Sequence, residues 1–115
     1  MKKDNLIFLQ HILECIEKIE EFTNKISEDD FMKLVQTQDA VVRRLEIIGE
    51  ATKNLSNHFR GKHRNIPWNQ MARMRDKLIH GYFGVDLMTV WEVVEDDLPN
   101  LKKKIRKLLE DSNAF

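Results

Sequence analysis

Between Arg73 and Tyr82 the chain reads Arg-Met-Arg-Asp-Lys-Leu-Ile-His-Gly-Tyr, which gathers Arg75, His80 and Tyr82 into one short stretch. A guanidinium offers a planar fork of donors that matches phosphate oxygens. An imidazole gains or loses a proton near neutral pH, and a phenol supplies a hydroxyl open to modification. Arg75 and His80 therefore fit phosphodiester cleavage without metal: His80 exchanges a proton at a ribose 2′-hydroxyl or at the leaving oxygen, and Arg75 holds the anion. The same spacing also describes a capped helix end with a surface ion pair, which is the simpler reading when spacing stands alone. One arginine and one histidine lack a second proton-transfer group. Two copies facing each other supply it, so the motif argues for a homodimer.

These side chains must be presented by helices. Pro67 suits the first turn of a helix and Gly81 the position just past its end, so they bracket a helix over Trp68 to His80. His80 then closes the helix, where the dipole favours imidazolium. A helical offset of five residues is about 140° and roughly 7.5 Å, so Arg75 reaches His80 only by swinging toward the helix end. Before this helix, three-and-four spacing of apolar residues marks a first segment over Asn5 to Ile26 (Leu9, Ile12, Leu13, Ile16, Ile19) and another over Val35 to Leu55 (Val41, Leu45, Ile48, Leu55). Ser27, followed by Glu28, Asp29 and Asp30, opens a short helix between them. Ser56 to Asn65 reads as the one substantial loop. After Asp86, a candidate cap, Leu87, Trp91, Val94, Leu98, Leu101, Ile105 and Leu108 form a seam that needs a partner helix, with a kink at Glu95 to Pro99. The expected fold is all-α, an antiparallel bundle of about five helices.

The third helix carries a second polar constellation. Asp39, Arg43, Glu46 and Glu50 are four, three and four residues apart, which puts them on one face, either as a functional border or as an ordinary ion-paired surface. Gly49, costly inside a helix by about 1 kcal/mol relative to alanine, signals close approach by another element. His58 and His63 straddle a glycine without an acidic or cysteine partner of suitable spacing, so no metal site is expected. Trp68, Trp91, Phe59 and Phe83 are better read as core than as base-stacking platforms.

At 115 residues the chain fits a single domain, residues 1–115, with one core. Nineteen acidic residues balance nineteen basic ones, so no global field draws it to nucleic acid. Distribution matters more: Thr52 to Tyr82 holds seven basic residues (Lys53, Arg60, Lys62, Arg64, Arg73, Arg75, Lys77) against Asp76 alone. No apolar run is long enough to span a membrane and no signal-peptide core follows the amino terminus, so cytoplasm is the expected location. Cys15 is the sole cysteine, which excludes an internal disulfide and suggests a small core residue.

Several segments together resemble the HepT-like branch of the HEPN superfamily, whose mark is arginine, four residues, histidine, one residue, tyrosine. Arg75, His80 and Tyr82 match it. So do Asp-Ala-Val-Val-Arg-Arg-Leu-Glu-Ile-Ile-Gly-Glu-Ala at Asp39 to Ala51, Ile-Pro-Trp at Ile66 to Trp68, His-Gly-Tyr-Phe at His80 to Phe83, and Leu-Pro at Leu98 to Pro99. The resemblance implies a five-helix bundle that dimerises, with paired arginines and histidines lining a cleft between protomers, and a metal-independent ribonuclease toxin of a HepT/MntA-type (type VII-like) toxin–antitoxin system. It implies a nucleotidyltransferase antitoxin that transfers AMP from ATP to Tyr82, ATP being used by that partner and no cofactor by this chain. It places Asp39, Arg43, Glu46 and Glu50 at the border of the cleft. Asp76 stands where other members of the superfamily commonly carry asparagine, which sets an extra anion near the scissile phosphate. The alternative is a non-catalytic helical module that binds nucleotide or docks the nucleotidyltransferase.

Overall fold

The computed structural model describes residues 3–80 and 84–112. Its frame is made by three long helices: α1 (Lys3–Thr23), α3 (Val35–Lys53) and α8 (Leu98–Asp111). Leu9, Ile12, Leu13, Ile16 and Ile19 of α1 are buried, as are Val41, Leu45 and Ile48 of α3, so each apolar stripe is removed from water against the other helix. Full burial of one such side chain contributes about 1.5–3 kcal/mol. The Lys102 Nζ of α8 donates to Glu20 Oε1 of α1 at 2.7 Å, marking the edge of a second packed pair.

The first helix ends three residues before the expected Ile26. Thr23 Oγ1 bonds back to Ile19 O at 2.8 Å, and Lys25 takes a φ of 62°, the left-handed conformation that ends a right-handed helix. Ser27 then caps α2 (Glu28–Phe31) in a full capping box: Asp30 N donates to Ser27 Oγ and Ser27 N to Asp30 Oδ2, both at 3.1 Å. Hydrogen bonding to its carboxylate, first from the Ser27 amide and second from the Ser27 hydroxyl, holds Asp30 below its ordinary pKa. Phe31, at the end of α2, is fully buried against Trp91, with ring centroids 5.1 Å apart.

Three expectations change. Ser56 to Asn65 is not all loop: Asn57–Lys62 forms a short helix, α4, because Ser56 Oγ accepts from Phe59 N at 3.1 Å and Phe59 is buried. The expected helix over Trp68 to His80 divides into α5 (Trp68–Ala72) and α6 (Met74–Leu78), joined at Arg73. His80 does not close it, because Ile79–His80 is a strand, β1, paired antiparallel with β2 (Gly84–Val85). This two-residue ladder is the only sheet among the described residues; Gly81, the expected helix stop, lies outside them.

The last seam begins with α7 (Leu87–Glu92), capped by Asp86 Oδ1 accepting from Thr89 N at 3.1 Å. At the expected kink, Val93–Asp97 winds as a π-helical turn, and Leu98 N reaches Val93 O. The physical reason is Pro99: its ring would crowd the carbonyl four residues back and it donates no amide hydrogen, and a widened turn relieves both. Trp91, Val94, Leu98, Leu101 and Ile105 are buried as expected; Leu87 and Leu108 are partly buried, and Leu109 is fully buried. Cys15 is a buried free thiol whose pKa burial pushes up, against a weaker lowering by the Arg44 guanidinium.

Candidate nucleic-acid site

Gly49 decides where the arginine of the motif stands. A Cβ at this position would lie 3.2 Å from Met71 O and 3.6 Å from Ala72 O, so the absent side chain is what lets the α5–α6 joint press onto α3. Met71, Met74 and Leu78 are buried along that contact, which turns Arg75 outward. Its side chain remains two-thirds exposed, and its Nε lies 3.8 Å from Glu46 Oε2 on α3. An exposed pair of this length contributes only about 0–1 kcal/mol, so Glu46 biases the arginine without locking it and the fork remains open to an anion.

Downstream of α6 the backbone is extended. Asp86 N donates to Leu78 O at 2.8 Å, and His80 stands opposite Gly84 in the ladder. The helical offset expected between Arg75 and His80 therefore does not apply, since residues 79 and 80 advance by about 3.3 Å each along a strand. The His80 side chain, and Tyr82 with Phe83, lie outside the described residues.

Beside this ladder runs a groove of about 310 Å³, lined by Gln38, Asp39, Val42 and Glu46 of α3 and by Val85 and Leu87. Two members of the α3 constellation, Asp39 and Glu46, thus face the strand that pairs with His80's. Arg43 and Glu50 are exposed but do not line the groove, and Glu50 pairs with Lys53 at 3.5 Å. Asp76 is exposed on α6 next to Arg75. Gln38, Val42 and Val85 are groove residues that spacing did not single out, and Leu87 was expected only as part of the last apolar seam. Gln38 carries no periodic signal, since it is buried by donating from Nε2 to Phe31 O at 2.8 Å.

Chemically, the arrangement presents the Arg75 guanidinium, loosely paired with Glu46, beside a groove with carboxylates on one wall and an extended strand on the other. It is suited to holding one phosphate of a flexible chain. Among the described residues no group of three or more His, Cys, Asp and Glu is placed to hold a metal ion, and no helix is long and apolar enough to cross a membrane.

Comparison with known proteins agrees with the residues. The family model described as "Ribonuclease HepT-like" matches residues 12–108. The chain is 55% identical over 108 residues to the "Probable ribonuclease HepT" of Thermococcus cleftensis, covering 94% of this chain and 98% of that protein. It is 57% identical over 111 residues to a "Gamma-glutamylcyclotransferase and putative RNase" of Methanocaldococcus jannaschii, covering 96% of this chain but spanning only 50% of that longer protein. A "Putative RNase" of Caldanaerobacter subterraneus is 47% identical over 103 residues, 90% of this chain and 92% of that one. No solved structure matches.

Proposed function

The chain belongs to the HepT-like ribonuclease family of the HEPN superfamily, and from that premise we propose that it cleaves RNA through Arg75 and His80 at a composite site formed by two copies. The observation that carries the reading is the exposed Arg75 side chain, held only loosely by Glu46, beside a groove whose far wall adjoins the His80 strand. The ribose 2′-oxygen attacks the adjacent phosphorus as its proton passes to one His80. The bond to the 5′-oxygen breaks, and that oxygen takes a proton from the other His80. The products are a 2′,3′-cyclic phosphate and a 5′-hydroxyl, with no water consumed. Arg75 stabilises the charge that grows on the equatorial oxygens. Asp39, Glu46 and, beside the arginine, Asp76 place negative charge around the cleft, which disfavours any phosphate not held by the arginine fork.

Dimerisation supplies the second imidazole. Exposed apolar side chains at Leu34, Val35, Val85 and Met88 are the surface a second copy would cover, and they cluster in sequence at the start of α3 and around β2 and α7. The single domain spans residues 1–115. The family resemblance further implies control by a nucleotidyltransferase: the Tyr82 phenol gives up its proton and attacks the α-phosphorus of ATP, and pyrophosphate leaves. The resulting AMP ester, two residues from His80, fills the RNA site with bulk and negative charge.

The test uses the unmodified protein and RNA in excess chelator. Wild type is expected to leave cyclic phosphate ends, while Arg75→Ala and His80→Ala each lose the activity with unchanged folding. Full activity in the His80 variant would sink the mechanism. Co-expression with the partner is expected to add AMP at Tyr82, read by intact mass and lost in Tyr82→Phe.

A further inference from the structure

Away from the groove, α4 and the start of α5 border a larger, solvent-open pocket of about 490 Å³ whose lining includes Asn57, Arg60, Arg64, Trp68, Asn69 and Gln70. This volume lies in the range of small-ligand pockets. Two of its side chains are guanidinium groups, and none of the residues around it is acidic. The rest of its polar lining is carboxamide, which can donate and accept toward a base edge. Such a lining suits a nucleotide: arginine forks for phosphate oxygens, amides for the base.

The walls are built to stay in place. Trp68 Nε1 donates to His63 O at 2.9 Å, and Trp68 N to Ile66 O at 2.8 Å. Lys104 of α8 donates to Asn65 O at 2.9 Å, while Phe59 packs against both His63 and Trp68, with ring centroids 4.7 and 6.0 Å apart. Within this rigid frame Arg60 is incompletely satisfied. Its Nη2 donates to Asn57 Oδ1 at 2.6 Å, yet its Nε is the one buried side-chain nitrogen or oxygen without a partner among the described residues. A buried donor left unpaired is destabilising, and an incoming phosphate acceptor that reorients the guanidinium would relieve that cost.

Position supplies the rest. Gln70 on the wall precedes Arg75 by five residues, across the α5–α6 joint at Arg73, so the pocket and the motif arginine are carried by the same short segment. We infer that the Arg60–Arg64 pocket binds a nucleotide of the RNA strand flanking the scissile bond, with both arginines on its phosphate. The inference takes its ligand from the ribonuclease reading and adds a subsite that lies outside the Arg-His motif.

Binding is measured separately from cleavage, using a single-stranded RNA whose riboses are all 2′-O-methylated, so that a protein that binds but does not cut still tests the pocket. Anisotropy titrations at several salt concentrations compare wild type with Arg60→Gln/Arg64→Gln. Each single-strand phosphate no longer neutralised lowers the slope of log affinity against log salt by about 0.7, so the double variant, which releases the one phosphate the two arginines share, should lose about 0.7. Arg60→Lys/Arg64→Lys should retain most of the slope, which a merely structural role would not predict. Arg64→Glu, an exposed substitution that leaves Arg60 and its packing intact, gives the same test if the double variant fails to fold. Its affinity should fall and its slope decrease. An unchanged slope in Arg64→Glu and in the double variant overturns the proposal. So does a wild-type protein that fails to bind this RNA. Free AMP is the third arm: a pocket that binds AMP in an Arg64-dependent way while RNA affinity is indifferent to Arg64 serves a free nucleotide, and the flanking-strand assignment is wrong.

Discussion

The α1–α3–α8 frame and the α5–α6–β1 segment answer to different forces. In the frame, long apolar stripes at helical spacing meet one another, and the side chains of Leu9, Ile12, Ile16, Leu45, Ile48 and Ile105 are fully buried. The segment that carries Arg75 and His80 consists of two five-residue helices and a two-residue strand, all too short to be stable alone. Their geometry comes from what they lean on: the bare backbone at Gly49, the Asp86 amide on Leu78 O, and buried Met71, Met74 and Leu78. The frame can therefore lose stability without any specific change at the site, whereas the site segment can lose its alignment at little cost in stability.

The largest effect should come from the frame. Leu45→Ala removes a fully buried side chain at the α1–α3 contact, and should destabilise by about 2–5 kcal/mol in denaturant titration. Cleavage measured well below the midpoint should be almost unchanged, and a proportional loss of activity would break the division between the two regions.

Gly49→Ala sharpens it from the other side. The new methyl gains about 1 kcal/mol in helix propensity but stands 3.2 Å from Met71 O, so the α5–α6 joint must shift by a few tenths of an ångström. Net stability should change by less than about 1 kcal/mol, because propensity offsets crowding. Cleavage should nevertheless fall by roughly tenfold, as Arg75 is displaced relative to the groove. Undiminished activity would show that this joint does not set the arginine's position.

The smallest effect concerns pH. His63 packs on Phe59, and burial, reinforced by the neighbouring Lys62, lowers its pKa. A histidine whose folded pKa lies below its unfolded value contributes stability that is present above the unfolded value, near 6.5, and is lost as pH falls through the folded one. Thermal stability should therefore decline on acidification below about pH 6.5, and His63→Gln should flatten that part of the profile. A profile identical in the variant would assign the decline to other groups.

Much of this was legible from residue order because some signals are local. Ser27 with Asp30 is a capping box whether or not anything packs on it, and Asp86 caps α7 in the same way. The stripe in α1 and the seam from Trp91 to Ile105 required only helical spacing, and the family resemblance rested on segments in order. Other signals were misread where two local rules competed. Gly61 made Ser56 to Asn65 look like a loop, although Ser56 caps a turn that burial of Phe59 completes. Pro99 announced a disturbance, but its form as a π-helical turn depended on how the backbone could keep Leu98 and Leu101 buried on either side.

The sequence by itself determined that helices would bury those stripes and that Arg75, His80 and Tyr82 would lie close along the chain, because periodicity, capping and covalent order act within a few residues. Tertiary structure decided that the helix ends at Leu78, that His80 joins a strand opposite Gly84, and that Asp39 and Glu46, but not Arg43 and Glu50, line the groove. It also brought Arg60 and Arg64 to the same pocket as Asn69 and Gln70. Those outcomes depend on which surfaces meet across the chain, and a short helix with little stability of its own takes the shape that its neighbours impose.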